Sequence, residues 1–269
     1  MKISFIGGGV MAEAILGGII NGGIAAPGNV KFGEPIKNRR SHLADTYGVI
    51  ATSDNTEALE GTEVVILAVK PQHLGPVMND LKDHLQPGQA VLSIVAGATL
   101  KTLSQGLQHK TIVRVMPNTP AQVRQGMTVW TTTDDVSDKQ HTTAQQILAS
   151  FGEEVFVVDE KYMDMATALS ASGPAYVFLF IEALIDSGVY MGLQRDMSRK
   201  LVLQTVLGST EYVRQAGQHP AELKDMVSSP AGGTVEALRT FEQAGFRAAV
   251  IDAVTTAYKK YQALGKTDQ

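Results

Sequence analysis

Six residues near the amino terminus have the types and spacing to hold a pyrophosphate. Gly7-Gly8-Gly9-Val10-Met11-Ala12 reads GxGxxA, follows the β-rich run 2–6 directly and opens a helical pattern. Gly7 allows a tight turn, Gly9 lets main chain approach an anion, and Ala12 is small enough for a helix to pack on the strand. The anion then lies at the helix N-terminus, where unpaired N–H groups and the dipole favour negative charge. A merely structural glycine turn is the alternative, and the strand–turn–helix context favours a dinucleotide.

The residues after the second β-rich run bear on which dinucleotide. A carboxylate there accepts from a ribose 2′-OH in NAD sites, whereas a basic residue holds the 2′-phosphate of NADP. Glu34 stands in the carboxylate position, yet Lys37, Asn38, Arg39 and Arg40 follow at once and could bracket a phosphate. A solvated charged loop is the plain alternative. Farther on, Ala68-Val69-Lys70-Pro71-Gln72 ends a strand-like run, at the carboxyl edge where doubly wound folds bind ligands. Lys70 is a candidate catalytic amine or an anion partner, and Pro71 stops the strand. The same location applies to residues 93–97 and to Met116-Pro117-Asn118-Thr119-Pro120.

Residues 224–234, KDMVSSPAGGT, lead into the helical pattern at Val235. Consecutive small residues before a helix leave its first N–H groups open, a nest suited to a substrate carboxylate. Ordinary hydroxyl caps from Ser228, Ser229 or Thr234 are the alternative. The six histidines, at 42, 73, 84, 109, 141 and 219, show no metal-ligand spacing, and no GxSxG elbow is present, so neither a metal site nor a hydrolase is expected.

These groups need a scaffold. β-rich runs at 3–6, 30–33, 64–69, 90–95, 112–116, 128–132 and 155–158 alternate with helical patterns at 11–21, 38–47, 72–85, 100–106 and 138–151. That alternation predicts an α/β, doubly wound (Rossmann-type) dinucleotide-binding domain over 1–158. From 159 to 269 strand-like runs vanish and several helices follow, broken at 172–174, 191–192, 217–220, 229–233 and 245. Segments such as 175–185 are apolar around most of their circumference and must be buried on all sides. That predicts an all-helical domain covered by a second copy of the chain.

Composition sets outer bounds. The 269 residues contain no cysteine and are 44% hydrophobic, which excludes disulfide and thiolate chemistry and fits a globular, cytoplasmic protein. Residues 1–158 carry 12 basic and 14 acidic side chains and the remainder 11 and 13, so neither half offers a basic face to nucleic acid or an anionic membrane. The longest unbroken apolar run, 175–181, is far short of the ~20 residues that cross a bilayer, so no membrane partner is expected. The first twenty residues mimic a signal peptide, but Glu13 and the glycines interrupt them, and a strand, turn and helix explains them better.

FIGGGVMAEAI at the start, AVKPQ at 68–72, MPNTPA at 116–121, SGPAYVF at 172–178 and LKDMVSSPAGGTVEAL at 223–238 together closely resemble the pyrroline-5-carboxylate reductases, over nearly the whole chain. The resemblance implies reduction of L-1-pyrroline-5-carboxylate to L-proline by hydride transfer from NAD(P)H, NADPH preferred and NADH possible. It implies a helical dimerisation domain, and homodimers or rings of dimers. Cofactor contacts carried onto matching positions are Ile6, Gly7, Gly8, Gly9, Val10 and Met11 at the pyrophosphate, Asn55 near the adenosine ribose, Ala68, Val69, Lys70 and Pro71, and Ile94, Val95 and Ala96 towards the nicotinamide. The substrate loop maps to Ser229, Gly232, Gly233 and Thr234, with Thr234 as the catalytic candidate. Where many members place Gly-Gly before a small residue and the threonine, this chain reads Ala231-Gly232-Gly233-Thr234. A β-hydroxyacid dehydrogenase, a broader imine reductase and a non-catalytic NADP(H)-binding sensor are the rival readings. Lys200 and Lys224 are the only plausible proton donors for the first, and neither lies in that family's motif.

Overall fold

Runs that read as continuously apolar become strands buried on both faces. A computed structural model describes residues 1–267, and among them eight strands form one sheet. They are β1 (Ile3–Ile6), β2 (Val30–Gly33), β3 (Ile50–Thr52), β4 (Val64–Leu67), β5 (Ala90–Ser93), β6 (Ile112–Met116), β7 (Gly126–Thr132) and β8 (Gly152–Phe156). Their order is β3-β2-β1-β4-β5-β6-β7-β8, parallel throughout except for the antiparallel β6–β7 pair. Between the strands run α1 (Val10–Asn21), α2 (Lys37–Tyr47), α3 (Asn55–Leu59), α4 (Pro71–Leu81), α5 (Leu100–Leu107) and α6 (Asp138–Ala149), followed by α7 (Lys161–Ala166).

Period-two alternation divides the sheet's side chains between two cores. Ile3, Phe5, Val64 and Ile66 join Ala12, Ile15, Leu16 and Ile19 of α1 on one face. Ile6, Val65, Leu67 and Val91 join Leu74 and Leu81 of α4 and Leu103 and Leu107 of α5 on the other. Each such large apolar side chain removed from water contributes about 1.5–3 kcal/mol. Local signals start the helices: Thr99 caps α5, and Ser137 with Gln140 forms a capping box on α6.

The sheet is larger than the sequence pattern predicts. β3 and α3 were not expected, and the strands at 64–69 and 90–95 end two residues early, at Leu67 and Ser93. The last two strands begin earlier than expected, at Gly126 and Gly152, and α4 ends at Leu81 rather than 85. Pro71 does not terminate a strand. It is the first residue of α4, where its missing N–H costs nothing.

The chain divides into two compact units, Met1–Ser172 with Ala257–Gln269, and Gly173–Thr256. The first compact unit therefore runs past the pattern change at Val158, as far as Ser172. Residues 159–172 stay with the sheet because Met163 is fully buried beside Met116 and Val129, and because Arg114 on β6 holds Glu160 and Asp164 at 2.8 and 3.0 Å. A π-helical turn, Thr167–Ala171, follows α7, and Ser172 Oγ lies 2.8 Å from the Tyr261 hydroxyl.

The second unit is built from α8 (Gly173–Tyr190), α9 (Arg195–Ala216), α10 (Pro220–Met226), α11 (Gly233–Gln243) and the first half of α12 (Phe246–Thr267). Helices α8 and α9 meet closely at Gly188, where a Cβ would collide with Ser198 Oγ. Much apolar surface is left uncovered: Phe178, Leu179, Leu207 and Ile251 are all 61–68% exposed. The helical run Lys161–Tyr190 spans 30 residues, and an 18-residue stretch within it has a mean hydropathy of 1.6, long and apolar enough by length and composition to cross a membrane. Its longest unbroken apolar run, 175–181, is much shorter because Glu182 ends it.

Candidate functional site

The strand order reverses between β1 and β4, and the carboxyl ends of those two strands open a cleft of about 660 Å³. Three glycines shape it in different ways. Gly7 leaves β1 with φ +95°, its N–H donating to Gly33 O at 2.8 Å, and a Cβ there would meet Ala68 O at 2.8 Å. Gly8 is crowded by Leu43 and Glu34. Gly9 has an ordinary φ of −67° and nothing within 4 Å of a built Cβ. It is also the N-cap of α1 and no side chain caps it, so the helix's first N–H groups face open space. That is the cradle a pyrophosphate requires, and the residues present fit a dinucleotide.

Of the expected cofactor residues, Gly7, Gly8, Gly9, Val10, Glu34, Arg39, Asn55, Ala68, Val69 and Lys70 line this cleft. Ile6, Met11, Arg40, Pro71, Ile94, Val95 and Ala96 do not: Ile6 and Val95 are buried in the core, and Met11 and Ile94 pack against it. Arg40 folds back instead, donating from Nη1 to the carbonyls of Glu34 and Pro35, both at 2.8 Å. The lining also includes Pro35, Ile36, Ser53, His73, Pro76 and Val77, which sequence reasoning did not single out. His73 and Val77 lie one turn apart on α4, a signal available once Pro71 is read as a helix start.

Charge beside α2 is organised through hydrogen bonds. Glu34 is buried, and both its oxygens are engaged by main chain: Oε2 accepts from Gly8 N–H at 2.7 Å and Oε1 from Ile36 N–H at 2.9 Å. It braces the glycine loop. Arg39 donates from Nε to Gly8 O, from Nη2 to Gly9 O at 3.4 Å, and from Nη2 to Glu13 on α1. Glu13 also meets His42 Nε2 at 2.9 Å and accepts from the Tyr47 hydroxyl at 3.0 Å. Burial alone would raise the Glu13 pKa, but hydrogen bonds from His42, Arg39 and Tyr47 outweigh it and hold the carboxyl below its usual range. The same burial, reinforced by Glu13, pushes the Tyr47 hydroxyl up.

In the helical unit the loop before α11 resolves the capping alternative. The N-cap is Gly232, with no side-chain cap, and Ser228 Oγ bonds back to Lys224 O at 2.7 Å. Ser229 accepts from Gly232 N–H through its carbonyl at 3.0 Å, and Ala231 adopts φ +56°. Thr234 is the second residue of the helix and is exposed. The loop thus presents open N–H groups beside a hydroxyl, although a left-handed alanine costs about 1–2 kcal/mol.

Comparison with known proteins assigns both parts. The family described as "Pyrroline-5-carboxylate reductase dimerisation" matches residues 160–264, and "NADP oxidoreductase coenzyme F420-dependent" matches residues 2–97. A pyrroline-5-carboxylate reductase of Synechocystis is 45% identical over 99% of both chains, and that of Escherichia coli K12 is 40% identical over 99% of both. The solved pyrroline carboxylate reductase of Plasmodium falciparum, with NADP bound, superposes with a TM-score of 0.90 at 36% identity over 98% of both chains. The Coxiella burnetii enzyme superposes with 0.89 at 34% identity over the same share. With a glycine cradle at one helix start, an open N–H nest at another and full-length relatives at this identity, the chain belongs to the pyrroline-5-carboxylate reductase family of oxidoreductases.

Proposed function

We propose that the chain reduces L-1-pyrroline-5-carboxylate to L-proline with NADPH as the preferred donor and NADH as an alternative. The carrying observation is that α1 at Gly9 and α11 at Gly232 both begin on uncapped glycines. One suits a pyrophosphate and the other a carboxylate. The nicotinamide, when bound, supplies the hydride that reaches the C=N carbon, while the ring nitrogen gains a proton. Gly7, Gly8, Gly9 and Val10 hold the pyrophosphate, Arg39 takes the 2′-phosphate, Asn55 lies by the ribose, and Ala68, Val69 and Lys70 line the passage. Ile94, Val95 and Ala96 follow β5 on the nicotinamide side.

The N–H groups of Gly233 and Thr234 bind the substrate carboxylate, with Ser229 and Gly232 shaping the loop. Thr234 Oγ1 hydrogen-bonds the ring nitrogen and polarises the C=N bond. A threonine is too weak an acid to protonate an imine unaided, so solvent completes the transfer. Residues 1–158 carry the cofactor, and 159–269 carry the substrate loop and pair with a second copy as a homodimer or a ring of dimers. The apolar face of 161–190 is then covered by protein, and the enzyme works in the cytoplasm with no nucleic-acid or membrane partner.

The test is nicotinamide absorbance with and without pyrroline-5-carboxylate. Cofactor binding without substrate-dependent oxidation would favour the sensor instead. Thr234→Ala is expected to lower kcat/KM about 10-fold or more, about 1.4 kcal/mol, at nearly constant NADPH affinity, and Thr234→Ser to retain much of the activity. Normal turnover by the alanine variant removes Thr234 from the chemistry.

A further inference from the structure

Glu13 lies outside the cofactor cleft, on the far side of Arg39, and three groups of α2 converge on its carboxylate. Arg39, His42 and Tyr47 reach it at spacings of three and five residues along that helix. A carboxylate held by three donors is a fixed object, and His42 and Tyr47 keep it in place whether or not Arg39 is engaged. Arg39 is in turn fixed at two corners. Its Nε is committed to Gly8 O and its Nη2 to Glu13 and Gly9 O, while Nη1 has no protein partner among the described residues. The guanidinium is therefore oriented by the glycine loop and by Glu13, with one amino group unspent at a residue that lines the cleft.

We infer that Glu13 is a positioning residue for cofactor selection: it holds Arg39 in the orientation that meets the adenosine 2′-phosphate, and so favours NADPH over NADH without touching either. The inference rests on the reading that Arg39 grips that phosphate. An arginine loses several rotors when it is immobilised by a ligand, and ordering it beforehand removes that loss from binding. NADH has no 2′-phosphate and draws no benefit from an ordered Arg39. A loose Arg39 therefore weakens NADPH selectively, whereas general damage to the glycine loop weakens both cofactors, because the pyrophosphate is common to them.

The experiment is calorimetric measurement of NADPH and NADH dissociation constants for the wild-type enzyme, Glu13→Gln, Arg39→Ala and the double variant. Glu13→Gln keeps the shape and removes the charge that holds the guanidinium. Its loss of NADPH affinity is expected to exceed its loss of NADH affinity about 3- to 10-fold, the cost of ordering one rotamer-rich side chain. Arg39→Ala lowers the same ratio further, and adding Glu13→Gln to it changes the ratio no more. If the glutamine variant folds poorly, Glu13→Asp replaces it, with a smaller loss in the same direction. Equal losses for the two cofactors, or tighter NADPH binding by Glu13→Gln, overturn the inference, the latter by making Glu13 a competitor for Arg39. An Arg39→Ala variant with an unchanged ratio refutes the Arg39 reading itself and the inference with it. An Arg39→Ala effect without a Glu13→Gln effect refutes the inference alone.

Discussion

Gly7 and Gly9 stand two residues apart in one motif and meet different demands. Gly7 occupies a left-handed conformation against the Ala68 carbonyl, so the fold itself needs it. Gly9 has an unstrained backbone and open space where a side chain would go, so only a ligand needs it. Gly7→Ala is expected to lose roughly 1–3 kcal/mol of stability from φ strain and the clash with main chain. Gly9→Asp is expected to leave stability within about 0.5 kcal/mol, as at ordinary surface positions, yet to abolish NADPH binding because a carboxylate meets the pyrophosphate. Urea unfolding followed by the fluorescence of Trp130, the single tryptophan, measures the first, and cofactor titration measures the second. A destabilised Gly9→Asp with cofactor affinity intact would reverse the two assignments. The motif was legible because its spacing encodes a backbone path. The work of Glu34 was not, because its partner N–H at Gly8 lies 26 residues away and only the paired strands bring the two together.

Between residue and domain, the elements that escaped the sequence pattern are the short ones. β3 has three residues, none buried, and α3 has five, too few for either a period of two or one of 3.6 to register. A local signal for α3 did exist: Asp54 accepts from the N–H groups of Thr56 and Glu57, and a D-x-x-E spacing announces such a start. The placement of α7 had no such signal. It depends on Arg114, a side chain 4% exposed on β6 that pairs with Glu160 and Asp164, while Glu160 also accepts from Leu100 N–H at 2.8 Å ahead of α5. A guanidinium stripped of both carboxylates is left charged and buried, whereas its replacement by an apolar chain removes the need for them. The double variant Glu160→Gln/Asp164→Asn is therefore expected to lose about 3 kcal/mol, and Arg114→Leu clearly less, in urea unfolding. Equal losses, or a larger loss from Arg114→Leu, would mean that the arginine contributes by attraction rather than by its need for partners.

At the scale of the whole molecule, the second unit carries more apolar surface than a stable free monomer ordinarily exposes. Leu203 and Leu207 lie one turn apart on the solvent side of α9, and Phe178 and Leu179 on α8 and Ile251 on α12 are likewise open. A cavity of about 420 Å³ between Tyr176, Phe180, Phe241, Phe246 and Val250 adds an apolar recess within the same unit. The sequence signalled this surplus through helices apolar on all sides, which predicted a second copy of the chain as the cover. The match of residues 160–264 to a dimerisation family supports a second copy of the chain rather than lipid. In light scattering the protein is then expected at twice the 28.7 kDa chain mass or a larger even multiple, without detergent. Leu207→Asp combined with Ile251→Asp should shift the population towards 28.7 kDa. Because both side chains are exposed in the single chain, the pair of charges should change its own stability little, and any loss arises at the subunit contact. A dimer's melting temperature also rises with protein concentration, by mass action, and that dependence should weaken in the double variant. A wild-type protein that is monomeric at all concentrations, or one that enters solution only with detergent, would assign the apolar surface to something other than a second subunit.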